Sequence, residues 1–166
     1  MVLGEEVEVG VVRSLRHPGI QAEPLYEERL VLVTDGGHRF APPGQIEVGQ
    51  LSDEQLILFD RTSSYHDLTA AFLSDVGVVP RAIMELDNIE ATKKMVQEGL
   101  GVALLPQSAV AAELADGTLH AIRISDAAPE RRQIVVIRRG DAGEATGLVA
   151  AFIETLSRAA HADAPA

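Results

Sequence analysis

The run Leu86-Asp87-Asn88-Ile89-Glu90-Ala91-Thr92-Lys93-Lys94-Met95-Val96-Gln97-Glu98-Gly99-Leu100-Gly101-Val102-Ala103-Leu104-Leu105-Pro106 decides the fold. Ile89, Thr92 and Val96 recur at helical spacing, which predicts a helix over Asn88 to Glu98 with one apolar face. Asp87 followed by Glu90 matches a capping box at its start. Gly99 with Leu100 behind it fits a left-handed C-cap closed by a hydrophobic residue. Val102 to Leu105 is then wholly apolar, as a strand covered on both faces must be. Pro106 ends it, having no N–H to offer a ladder.

Outward from this run the same alternation continues. Leu56 to Phe59 reads as a short buried strand and Ser64 to Val76 as a helix, with Leu68, Ala71, Phe72 and Leu73 inward. Gly77 stops that helix and Pro80 keeps it stopped. Arg81 to Leu86 is a strand, Ser108 to Leu114 a helix halted near Asp116-Gly117, and Leu119 to Ile124 a further strand. Strand–helix alternation of this kind predicts parallel strands joined by crossovers. Val7 to Val12, Ile20 to Tyr26 and Arg29 to Thr34 are extended runs, followed by a turn at Asp35-Gly36-Gly37 and a non-helical loop at Pro42-Pro43-Gly44. Ser125 to Glu130 is a polar crossover or linker. Gln133 to Arg138 is a strand, and Gly147 to Ala160 a helix with Leu148, Val149, Phe152, Ile153 and Leu156 on one stripe. The first and last segments are expected to pair, so lobe one comprises 1–55 with 126–162, lobe two 56–125, and 163–166 a disordered tail.

Composition narrows the function. The 166 residues are 46% hydrophobic but only 4% aromatic, without Trp, so the core is aliphatic. There is no Cys, which excludes disulfides and thiolate metal sites. The formal net charge of −11 argues against a duplex-binding surface, which needs cations to displace counterions from phosphates. The pairs Lys93-Lys94, Arg131-Arg132 and Arg138-Arg139 are isolated and read as solvated faces or ion-pair partners. No signal peptide and no apolar run of membrane-spanning length is visible, so a soluble, cytoplasmic protein without membrane contact is expected.

Ligands of open parallel sheets bind beyond the carboxyl ends of strands, where helix starts present free N–H groups to anions. Two loops qualify. Asp60-Arg61-Thr62-Ser63-Ser64 offers three hydroxyls and a guanidinium able to grip a carboxylate, and Asp87-Asn88-Ile89 follows the next strand on what should be the same edge. Helix capping alone, by Ser64 with Asp67 and by Asp87 with Glu90, also accounts for much of this composition. Ser64-Tyr65-His66-Asp67 has the residue types of a hydrolase triad, but consecutive residues cannot form that relay, and no nucleophile elbow surrounds the serine. Gly99-Leu100-Gly101 stands after a helix and before a strand, the wrong order for a dinucleotide fingerprint. His17, His38, His66, His120 and His161 lack metal-ligand spacing. Neither enzyme chemistry, a metal nor a cofactor is expected.

The run Leu86 to Pro106 closely resembles the central signature of LysR-type effector-binding domains, with its Met-Val-x-x-Gly-Leu-Gly-Val-Ala-Leu-Leu-Pro segment. Glu23 to Val33 followed by His38-Arg39-Phe40-Ala41 resembles that family's paired strands. Gln133 to Arg138 with the Phe152-Ile153 helix resembles its closing strand and helix. The resemblance implies an α/β fold like type 2 periplasmic binding proteins, with two lobes joined by crossover strands and an effector cleft between them. It also implies that lobe one is incomplete here, with the winged helix-turn-helix absent. By similarity the effector would meet Arg61, Thr62, Ser63, Ser64, Asp87, Asn88 and Ile89, with Thr34 and Asp35 as weaker candidates. The implied partner is a small organic anion, with DNA reached only through the missing domain of a homo-oligomeric regulator. A solute-binding protein of a transport system would share the fold and is the competing expectation.

Overall fold

The computed structural model describes residues 1–129 and 131–162. In chain order its strands and helices are β1 (Val9–Arg13), β2 (Ile20–Glu28), β3 (Leu30–Thr34), β4 (Gln45–Ile46), β5 (Gln55–Phe59), α1 (Ser64–Asp75), β6 (Ala82–Leu86), α2 (Ile89–Gln97), β7 (Val102–Pro106), α3 (Ala111–Asp116), β8 (His120–Ile124), β9 (Arg132–Arg139) and α4 (Gly147–Ala162). Short 3₁₀ turns occupy Val48–Asp53 and Gln107–Val110. The expected tail at 163–166 lies outside the described residues.

The chain divides into two compact units, one of 1–28 with 131–166 and one of 29–130. This moves the expected boundaries. Residues 29–55 are expected in lobe one, but β3 is hydrogen-bonded between β7 and β8, and β4 pairs with β8. A strand belongs to the sheet that satisfies its backbone, so β3 and β4 join the second unit, with 126–129 behind them.

The first unit is a three-stranded antiparallel sheet in the order β1-β9-β2. Pro24 is tolerated because β2 is an edge strand, and the register slips between Pro24 and Tyr26. Leu25, Ile134 and Val136 on one face pack with Ile153, Leu156 and Ala160 of α4, while Val2 lies with Val135 and Ile137 in a second small core. The stripe expected on α4 holds only in part, since Leu148 and Phe152 are exposed. The neighbouring basic pairs are ion-pair partners: Arg132 meets Glu28 at 2.6 Å, Arg131 meets Glu27, and the buried Arg138 meets Glu23.

The second unit is a six-stranded sheet in the order β4-β8-β3-β7-β5-β6. β5 runs parallel to both β6 and β7, and β3 runs against its two neighbours. From β5 the chain steps outward to β6 and then returns past β5 to β7. Right-handed crossovers in opposite directions place their helices on opposite faces. The cores bear this out: Phe72 and Leu73 of α1 pack on Leu56, Leu104 and Val102, whereas Val96 of α2 packs on Ile57, Ala103 and Leu105. Ala71 of α1, expected inward, is exposed, and Thr69 takes its place.

Both helices end as their glycines require. Gly77 and Gly99 adopt positive φ, and the N–H groups of Val78 and Leu100 reach back to the carbonyls of Leu73 and Met95. This double hydrogen-bonded ending satisfies carbonyls that a bare terminus would leave open. Where a helix was expected from Ser108, a 3₁₀ turn over Gln107–Val110 precedes the shorter α3.

Candidate functional site

Because β5 and β6 are parallel, the loops that follow them emerge at one sheet edge. The Asp60 N–H donates to the Leu86 carbonyl at 3.0 Å, joining the two loops directly. β7 is parallel to β5, so its sequel Gln107-Ser108 emerges there too. β5 and β7 are neighbours whose onward connections leave for opposite faces, to α1 and to the turn before α3. Such a divergence outside the carboxyl ends of two adjacent strands marks the usual ligand position in open α/β sheets.

Within the first loop, Asp60 Oδ1 accepts from both the Thr62 hydroxyl at 2.6 Å and the Thr62 N–H at 2.9 Å. The Thr62 side chain above all, then its N–H, holds the Asp60 carboxyl below the usual carboxylate range against a smaller opposing effect of desolvation. The resulting tight turn delivers Ser63, whose Oγ accepts from the Tyr65 N–H and caps α1. Ser63 is therefore the N-cap, and the expected Ser64 cap lies one residue too late. Asn88 rather than Asp87 caps α2 in the same way, accepting from Glu90 and Ala91 at 2.8 and 3.2 Å. Both caps sit where the backbone is still extended, the geometry an N-cap needs.

These assignments sort the candidate residues. Thr62, Ser63 and Asn88 are engaged in shaping their own loops, although the Ser63 hydroxyl keeps its proton to donate. Ser64 and Asp87 are exposed at the rim, and Ile89 is half-buried against the α2-side core. Arg61 is exposed, and its guanidinium has no hydrogen-bond or ion-pair partner among the described residues. Thr34 and Asp35 do not join the group. β3 runs antiparallel to β7, so its carboxyl end lies at the opposite edge, where Thr34 is fully buried opposite His120 and Asp35 closes a turn onto the Gly37 N–H. The rim residues that went unanticipated are Gln107 and Ser108. Pro106 marks the strand end in the sequence, but only the strand order reveals that this end adjoins β5. No group of three or more metal-ligating side chains occurs among the described residues.

Residues 1–160 match the model of the LysR substrate binding domain family. The chain belongs to that family. Among curated relatives of this LysR domain, the HTH-type transcriptional regulator GltR of Bacillus subtilis is 30% identical over 112 residues, covering 68% of the chain and 36% of GltR. The regulatory domain of Synechocystis PCC6803 CcmR in complex with 2-PG superposes with a TM-score of 0.77 at 22% identity, covering 96% of this chain and 76% of that one. The effector binding domain of QuiR in complex with shikimate gives 0.72 at 18% identity, covering 97% and 75%. The LysR domain thus has the periplasmic-binding-protein-like type 2 α/β fold, and the chain spans less than half the length of the curated relatives it matches. The family is one of regulator binding domains rather than enzymes, and no described helix is long and apolar enough to cross a membrane.

Proposed function

We propose that this LysR domain senses a small organic anion held at the crevice outside β5 and β7, and so controls a DNA-binding regulator. The observation that carries the reading is the Arg61 guanidinium, unpartnered among the described residues, beside the N-terminus of the twelve-residue α1, at the point where the two connections diverge. A helix N-terminus and a free guanidinium both favour negative charge, and the guanidinium can bind a carboxylate or phosphate in two-point geometry. Ser63, Ser64, Asp87, Asn88, Ile89 and Ser108 would complete the rim from this unit, with Thr62 shaping it through Asp60.

In the longer proteins of this family that the chain resembles, DNA contact and self-association would belong to the whole regulator working in the cytoplasm. A ligand that binds one conformation better than another shifts the balance between them, and this is all that sensing requires. The regulator reading is favoured over a transport receptor because the relatives at this level of identity are transcriptional regulators.

The test is calorimetric titration of the wild-type domain and of Arg61→Ala with a panel of small carboxylates and phosphate esters. Arg61→Ala should lower the affinity for whichever anion binds by about tenfold or more, the scale of a charge-assisted hydrogen bond. Its unfolding free energy should stay within about 0.5 kcal/mol of wild type. Unchanged affinity in Arg61→Ala would remove the anchor from the proposal.

A further inference from the structure

Lys93 is sequestered although its neighbour Lys94 is exposed. The Lys93 side chain is only 9% exposed, and Nζ donates to Glu90 Oε1 at 2.8 Å, to Glu113 Oε1 at 2.8 Å and to the Ala109 carbonyl at 3.1 Å. An ammonium has three protons, and here each has an acceptor. Glu90 lies on α2 itself, one turn before Lys93, whereas Ala109 and Glu113 belong to the continuous segment that runs from the 3₁₀ turn into α3. The start of α2 and the 3₁₀ turn flank the candidate crevice. The other Glu113 oxygen, Oε2, is buried and has no hydrogen-bond partner among the described residues.

Such an arrangement is a poor way to gain stability. A sunken ion pair repays little more than its desolvation, and an apolar side chain of like volume often does as well. What it does supply is geometry, since the bonds to Glu113 and to the Ala109 carbonyl tie the start of α2 to the segment after β7 at one point. The neighbouring loop Asp60–Ser63 is held differently, through the Asp60 N–H on Leu86, and takes no part in this junction.

We propose that Lys93 is a positioning residue for the ligand site, locking the start of α2 to the Gln107–Val110 turn so that Asn88 and Ser108 present to a ligand as one rigid wall. The inference rests on reading this edge as the effector site. The opposing wall, Arg61 to Ser64, is held separately, by the Asp60 N–H on the Leu86 carbonyl and by the turn at Thr62.

Amide hydrogen exchange of the intact domain tests it without any ligand. In Lys93→Met, exchange at Glu90, Ala91 and Gln107 should quicken about tenfold or more beyond any change in the sheet amides of Ile57 and Leu104, as local opening does. Lys93→Arg should restore most of the protection, because a guanidinium can still reach Glu113 and the Ala109 carbonyl. As a reference, Leu73→Ala should loosen the unit without singling out these amides. A uniform rise in Lys93→Met, matching Leu73→Ala, would overturn the proposal. A second arm follows the Ser63, Ser64 and Ser108 amide resonances while inorganic phosphate is titrated in. Lys93→Met should weaken phosphate binding about tenfold, and undiminished binding despite loosened loops would also refute the positioning role. If phosphate moves none of these resonances in the wild type, the anion-site reading fails, while the exchange experiment still decides whether Lys93 ties the two segments together.

Discussion

At the scale of single residues, Ser63 and Ser64 divide two tasks that their shared chemistry conceals. Ser63 Oγ satisfies the Tyr65 N–H, so Ser63→Ala should cost about 1 kcal/mol in urea unfolding, the usual worth of an N-cap. The capping-box spacing would put that cost at Ser64 instead. The sequence placed both helix starts to within a residue but misassigned both caps, because Ser, Asp and Asn are all good caps and stood side by side. What separated them is the backbone: the Asx-type turn at Asp60 consumes Thr62 and pushes the helix start to Ser64. Arg61 could be singled out in the sequence as a cation in a helix-start loop. That no described carboxylate reaches it, the adjacent Asp60 being turned onto Thr62, is visible only in the structure.

At the scale of elements, the α2–β7 connection shows what glycine is needed for. Gly101 has φ of 158°, and a Cβ there would lie 2.6 Å from the Gln55 carbonyl oxygen of the parallel neighbour β5. Gly101→Ala should therefore destabilise by about 1–3 kcal/mol, as backbone clashes and forced conformations do, measurable as a lowered urea midpoint at unchanged m-value. The sequence showed Gly99 as a helix stop but gave no hint of the Gly101 approach, which is a contact between residues far apart in the chain. The Lys93–Glu113 junction carries a pH signature. Desolvation would lower the Lys93 pKa, but hydrogen bonds to Glu113 and Glu90 outweigh it and raise the value above 10.5. The bond to Lys93, chiefly, holds Glu113 below 4.5. A raised cation contributes fully below its ordinary pKa and is lost as pH climbs through the raised one. A lowered acid contributes above its ordinary pKa and is lost as pH falls through the lowered one. The difference in unfolding free energy between wild type and Glu113→Gln should thus be level from about pH 5 to 10 and shrink below 4.5.

At the scale of the molecule, the parallel block β5-α1-β6-α2-β7 was legible because each element carries its own period and punctuation. The membership of β3 was not. Leu30 to Thr34 reads as a strand in any sheet, and nothing local says that its partners are Leu104 and Ile122 rather than the preceding β2. The two-residue β4 and the 3₁₀ turn at Val48–Asp53 were too short to show periodicity at all. The second unit is contiguous and has a buried core on each face of its sheet. A fragment of residues 29–130 should accordingly fold unaided, and a single cooperative thermal transition by circular dichroism would establish it.

The reversed strand has a consequence for how the molecule is made. β3 leaves the ribosome before any of its neighbours, yet Val33 can seat only once Ala103 and Ala121 have been synthesised. Closing so long a loop early is entropically unfavourable, whereas β5 and β6 are joined by a nearby helix. The middle of the finished sheet is then the last place to zip, and pulse-labelled refolding should find the Val33 amide protected after that of Ile57. Until that moment an apolar ribbon waits with both edges bare, which makes the nascent chain, rather than the native protein, the state most prone to association.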